Sequence, residues 1–174
     1  MRIRKRKQAE NLQNSDLWSK ADQGEPEAQY EIGYLYAVGN GMPQDFPRAG
    51  EWYKKAAAQG YAKAQFNLGV LYYEGHGVPQ DSAKAREWFE KAAAQGYAMA
   101  QLNLGMLYDS GLGVPKDSLR AYMWFSVAAA HLSGDQQKLA ADNRDRLAGD
   151  MTPEQIADAL RLTPAVGPPI LTPI

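Results

Sequence analysis

The chain has 174 residues, 45% hydrophobic and 22% charged, which suits a single globular domain with a core of its own. It has no cysteine, which excludes a disulfide framework, a thiolate metal site and a cysteine nucleophile, and fits cytosol and periplasm alike. Net charge is −1, but Arg2, Arg4, Lys5, Arg6 and Lys7 leave 19 − 5 = 14 basic against 20 acidic residues; the body, at 14 − 20 = −6, argues against a nucleic-acid surface.

The basic start resembles the n-region of a leader peptide, yet Gln8-Ala9-Glu10-Asn11 stands where an apolar core belongs, so it reads as a solvated helix start. No apolar run approaches the about 18 residues of a membrane span. Residues 9–23 predict a helix closed by Gly24. A 36-residue shift carries Gly24 onto Gly60 and Ala21 onto Ala57, so residues 1–25 are expected to be an N-terminal cap built like the second half of a repeat.

The same 36-residue step relates Ala28-Gln29, Ala64-Gln65 and Ala100-Gln101, and also Gly33, Gly69 and Gly105. It relates Trp52, Trp88 and Trp124, and the alanine triplets that begin at Ala56, Ala92 and Ala128. A fixed period of this size signals stacked repeats, here 26–61, 62–97 and 98–134. Each copy predicts two helices. The first helices run from Pro26 to Val38, Ala62 to Glu74 and Ala98 to Ser110. Gln29, Ile32, Gly33 and Tyr36 share one face at i, i+3, i+4, i+7 spacing. Glycine inside a helix costs about 1 kcal/mol against alanine, so its recurrence predicts two backbones in close approach. In the loops, Gly39, Gly75 and Gly111 suit left-handed C-caps, and Asp45, Asp81 and Asp117 suit N-caps of the next helix. The second helices are expected over 46–59, 82–95 and 118–131, with each tryptophan filling the volume beside a small alanine patch. Gly60 and Gly96 end the first two of these. In copy three the closing glycine is delayed to Gly134.

A helix from Gln136 to Leu147 is predicted next, with Lys138, Leu139, Asp142 and Arg146 on a mixed polar surface and Gly149 at its end. Thr152-Pro153-Glu154-Gln155 reads as a capping box for a helix from Pro153 to Leu162, with Ile156, Ala159 and Leu160 on one side. These two helices (135–162) make a C-terminal cap. Four prolines give 163–174 an extended character.

The pattern Ala-x-Ala-Gln-x-x-Leu-Gly-x-x-Tyr, then Gly-x-Gly-Val-x-x-Asp, then Lys-Ala-x-x-Trp-x-x-Lys-Ala-Ala-x-x-Gly resembles the Sel-one-like repeat family, longer-looped relatives of the tetratricopeptide repeats. Copy two fits best, through Ala62, Ala64-Gln65, Leu68-Gly69, Tyr72, Gly77-Val78, Asp81, Lys84-Ala85, Trp88 and Lys91-Ala92-Ala93. Copy one has Ile32, Met42 and Arg48, and copy three Arg120 and Val127, at family positions. The segment from Met151 to Gln155 resembles those that close bacterial members. The resemblance implies an all-α fold, a right-handed α-α superhelix of three hairpin repeats between helical caps. It also implies an adaptor role.

Nothing in the sequence converges on catalysis. His76 and His131 belong to different repeats and have no partners at metal or triad spacing. Gly75-His76-Gly77 follows a predicted helix and no Gly-Lys-Ser/Thr succeeds it, so it is not a phosphate loop. Asp142 and Asp145 read as solvated. No cofactor and no metal is expected.

The variable positions are more informative. Tyr30, Tyr34 and Ala37 lie about a third of a turn from the repeated face, so Tyr34, Val70, Tyr73 and Met106 read as an apolar strip flanked by Glu31, Asn67 and Asn103. They are expected to line a concave groove for a protein or peptide partner, with apolar anchors and asparagine amides suited to an extended backbone. Tyr30, Phe66 and Leu102 read as core. An alternative is self-association, in which the tail around Pro168-Pro169-Ile170-Leu171 docks in a neighbouring molecule.

Overall fold

The computed structural model describes residues 15–163, and every regular element there is a helix. After α1 (described over 15–22) come α2 (Pro26–Val38), α3 (Phe46–Ala58), α4 (Ala62–Glu74), α5 (Ser82–Ala94), α6 (Ala98–Ser110), α7 (Ser118–His131), α8 (Gly134–Ala148) and α9 (Pro153–Arg161). Helices α2 with α3, α4 with α5 and α6 with α7 pack as hairpins. Helix α3 packs on α4, and α5 on α6, so the hairpins stack in sequence order as an α-solenoid; α8 and α9 close it against α7. The basic start and the proline-rich tail, with its proposed docking, lie outside the described residues.

Inside each hairpin the glycine of the first helix faces an aromatic ring of the second. A Cβ on Gly33 would stand 2.7 Å from Tyr53, one on Gly69 2.6 Å from Phe89 and one on Gly105 2.6 Å from Phe125. The close approach is therefore helix backbone to ring face, not backbone to backbone. Tyr53, Phe89 and Phe125 are themselves 36 residues apart and at most 2% exposed. They are the core residues of the second helices. The tryptophans beside them are only partly buried. Trp52 packs back on the cluster of Ala21, Ala28 and Ile32, and Trp88 on that of Ala49, Ala56 and Leu68. Trp124 packs in the same sense on Ala85, Ala92 and Leu104. Trp52 and Trp88 thus seal seams between units instead of filling the hairpin centre, while Trp124 also packs on the cluster of its own hairpin that holds Ala121 and Phe125. The Lys55 and Lys91 ammonium groups lie 3.8 and 4.0 Å from the centroids of the Trp52 and Trp88 rings.

Between hairpins runs a buried ladder of glutamines. Gln29, Gln65 and Gln101 donate through Nε2 to the carbonyls of Ala21, Ala57 and Ala93, at 3.2, 3.3 and 3.4 Å. Their Oε1 atoms accept from Gln59 Nε2 (2.9 Å) and Gln95 Nε2 (2.8 Å), while His131 Nδ1 lies 3.1 Å from Gln101 Oε1. His131 stands one period after Gln95, so this histidine takes a structural rung. Gln137, one period after Gln101, repeats the link to Ala129 O at 3.2 Å and sets α8 as the first helix of a degenerate fourth unit. At the other end, the link from Gln29 to Ala21 makes α1 the counterpart of a second helix.

The loops add a third contact between units. Gly77 and Gly113 have φ of +71°, and a Cβ on either would come within 2.5 Å of the backbone at the start of the preceding hairpin's second helix, at Phe46 and at Ser82. In copies two and three the second glycine of the Gly-x-Gly thus lets one loop rest on the neighbouring backbone, whereas Gly41 in copy one has open space beside it. Asp45, Asp81 and Asp117 accept from the amides of Arg48, Lys84 and Arg120, each at 3.0 Å, as N-caps. Thr152 and Gln155 form the capping box of α9.

Two expectations fail at the C-terminal end. Gly134 does not end the third second helix; α7 stops at His131, Leu132 turns into extended backbone, and Gly134, at φ +58°, opens α8. Leu160 does not join Ala159 inside; it is 49% exposed, because α9 packs on α7 through Ala159 against Met123 and Val127.

Gly69→Ala should lower stability by about 1–3 kcal/mol although alanine is the better helix former, because the added methyl overpacks against Phe89. Phe89→Ala should cost about 3–5 kcal/mol and Trp88→Ala less. Denaturant unfolding of the three variants checks the order. Gln101→Leu should cost about 1–3 kcal/mol by leaving the carbonyl of Ala93 without its side-chain donor, whereas the exposed Gln137→Leu should cost well under that; thermal melts separate the two.

Candidate functional site

Helices α2, α4 and α6 lie side by side, and the residues that vary between copies meet at clefts between them. The first cleft, about 170 Å³, lies between α2 and α4. Tyr34, Ala37 and Val38 form one wall and Asn67, Val70 and Glu74 the other, with Phe46 and His76 at the loop end. The second, about 30 Å³, lies between α4 and α6 and is lined by Tyr73, Asn103 and Met106 over Phe89 and Leu107. Six of the seven candidate residues thus line two adjacent clefts. Glu31 lies instead on a third cleft of about 410 Å³ between α1 and α2.

Tyr34 is 48% and Met106 42% exposed, an open apolar surface that helix packing does not require. Val70 and Tyr73 are half-buried and lean on the core of the second hairpin. The Tyr34 ring stacks on Tyr30, with centroids 6.4 Å apart, and Tyr30 stacks in turn on Tyr53 at 5.7 Å. Asn67 is committed at one end: its Nδ2 donates to the Tyr53 hydroxyl at 3.2 Å. Burial pushes the Tyr53 phenol above its ordinary range, with the Asn67 hydrogen bond opposing. Only the remaining capacity of the Asn67 amide is open to a ligand. Asn103 makes no side-chain hydrogen bond among the described residues, so its whole amide is available.

Of the three residues read as core beside the groove, Leu102 is buried, whereas Tyr30 and Phe66 are only partly so. Tyr61 and Tyr97, at the starts of α4 and α6, complete an aromatic floor, lying 5.3 Å from Tyr30 and 5.1 Å from Phe66. Burial, helped by the charges of Glu27 and others nearby, pushes the Tyr61 phenol up to about 12, so it is a neutral donor at physiological pH. These two tyrosines are one period apart, so the repeat itself carries a signal for them. Phe46 and His76, stacked with centroids 4.6 Å apart, were not findable that way, since the counterparts of Phe46 are Ser82 and Ser118. His76 also pairs with Glu74 at 3.0 Å.

Among the described residues no cluster of histidine and carboxylate groups could hold a metal ion, and no helix is long and apolar enough to cross a membrane.

The family model of the Sel1 repeat matches residues 26–61, 62–97 and 98–131. Among solved structures, a Sel1 repeat protein from Oxalobacter formigenes is similar at 38% identity with a TM-score of 0.67, over 75% of this chain and 98% of that one. The protein c5321, a protective antigen present in uropathogenic Escherichia coli strains and displaying an SLR fold, is similar at 30% identity with a TM-score of 0.64. That match takes in 84% of this chain but 38% of the longer protein. No protein of curated function is significantly similar. The glycine-to-ring contacts, the glutamine ladder and these matches agree: the chain belongs to the Sel1 repeat family, whose members serve in general as scaffolds for protein–protein interaction.

Proposed function

We propose that the clefts along α2, α4 and α6 form one groove that holds an extended peptide segment of a partner protein. The observation that carries this reading is the open apolar surface of Tyr34 and Met106, one on each of the two neighbouring clefts. Neither side chain is needed to close a hairpin, and exposed apolar side chains at a concavity supply the anchors of most interfaces. The clefts are small against the about 300–1,000 Å³ of a small-molecule site, and suit single anchoring side chains of a longer segment. Asn103, and what is left of Asn67, would pair with the backbone of that segment. The role is that of a non-catalytic adaptor: binding without turnover.

A display library of short random peptides selected on the purified chain supplies ligands for the test. Tyr34→Ala and Met106→Ala should each weaken the selected peptides by about 1–2 kcal/mol in fluorescence polarisation. The thermal midpoint should move by less than about 2 °C, because both side chains are already half in solvent. A midpoint that falls in step with affinity would make them packing residues and end the groove reading.

A further inference from the structure

Four exposed side chains of α2 form one stripe, Glu27, Glu31, Tyr34 and Val38, at i, i+4, i+7 and i+11. Its apolar half is open, Tyr34 at 48% and Val38 at 47%. The stripe borders two clefts. Its carboxylates face the 410 Å³ cleft between α1 and α2, and its apolar half forms the wall of the 170 Å³ cleft between α2 and α4.

Among the described residues the larger cleft is lined by Asp16, Glu25, Glu27 and Glu31 against a single cation, Lys20, whose Nζ is held by Asp16 at 2.8 Å. The hydrogen bond and charge of Asp16 hold the Lys20 ammonium above its ordinary pKa, and Glu25 and Glu31 add to the same field. Among the described residues no ion pair engages Glu25, Glu27 or Glu31.

The pattern is confined to the first hairpin. The matching stripe reads Lys63, Asn67, Val70, Glu74 on α4 and Met99, Asn103, Met106, Ser110 on α6. Only α2 joins two carboxylates to two apolar groups. Its acidic and apolar halves are centred about seven residues apart, hence about 10 Å along the helix, the span of about three residues of extended chain.

We propose that this face takes a cationic, extended segment of a partner protein, with an arginine or lysine in the acidic cleft and an apolar side chain about three residues away beside Tyr34 and Val38. The inference rests on the groove reading above and adds the chemistry of the occupant. Charge complementarity selects it: an acidic segment would meet repulsion from Glu27 and Glu31, and a wholly apolar one would leave them without a counter-charge.

The peptide selection on the full chain tests it, at low and at physiological salt. Enriched sequences are expected to carry a basic residue at that spacing from an apolar one, and their binding should weaken with salt. Glu27→Gln with Glu31→Gln should lower affinity by about tenfold without moving the thermal melt, and Glu27→Lys with Glu31→Lys should turn the selection toward acidic peptides. Enrichment without a basic preference, still lost in Tyr34→Ala, would overturn this inference and leave the groove reading standing. No enrichment at all would overturn both. If reversing Arg4, Lys5 and Arg6 to glutamate in the full chain is what first permits binding, the occupant is the chain's own basic segment, which overturns a separate partner.

Discussion

The contact on which the fold depends is that of a bare helix backbone with the face of an aromatic ring. At Gly33, Gly69 and Gly105 there is no room for a methyl group, since the ring atoms of Tyr53, Phe89 and Phe125 stand 2.6–2.7 Å from where a Cβ would be. Glycine gives up about 1 kcal/mol of helix propensity at each site. In return a large ring is buried against its neighbour, and full burial of such a side chain contributes about 1.5–3 kcal/mol. That exchange sets how closely the two helices of a hairpin lie, and hence the thickness of every unit. The glutamine rungs then set the distance between units. Each side-chain amide is satisfied by a carbonyl eight residues back and a polar group thirty residues ahead. A slip of register would leave both ends of a buried amide without partners, so the ladder specifies one stacking order.

The repeat made this architecture legible. Helix limits, left-handed C-caps at Gly39, Gly75 and Gly111 and the aspartate N-caps all follow from periodic residues with known local chemistry. What the period could not tell was which of two adjacent aromatic residues turned inward. Trp52 recurs unchanged and Tyr53 recurs as an aromatic ring, so identity and size both favoured the tryptophan for the core. Helix geometry decides otherwise: Tyr53 faces the glycine of its own hairpin, while Trp52, a residue earlier, points to the unit before it. The end of the third copy departs from the periodic expectation for a related reason. A glycine near its periodic place is a stop signal only if the helix has reached it, and α7 had already ended.

Legibility of the candidate site followed a different rule. Positions that repeat are held by packing, so those that do not are free to differ for other reasons. Tyr34, Val70 and Met106 share one register place and present three different side chains at the surface between first helices. The pairing of Asn67 with the Tyr53 hydroxyl escaped this logic, because copies two and three have no hydroxyl at Phe89 or Phe125. One tyrosine in one hairpin turned a candidate ligand contact partly into a structural one.

The same scaffold therefore carries two kinds of information at separate angles of one helix. On α2, Gln29, Ile32 and Gly33 face inward and are nearly invariant from copy to copy, whereas Glu27, Glu31, Tyr34 and Val38 face outward and are replaced in every copy. Substitutions on the outer stripe remove no fully buried side chain, so their effect on folding is small. Those on the inner face propagate, because each unit is stable chiefly through its neighbours. A solenoid of this kind can change its partner by exchanging a few outer residues while the glycine, ring and glutamine seams stay fixed. The first hairpin carries one such arrangement of its own: two carboxylates at one end of a helix and two apolar groups at the other, on a backbone whose inner face is packed as in the other copies.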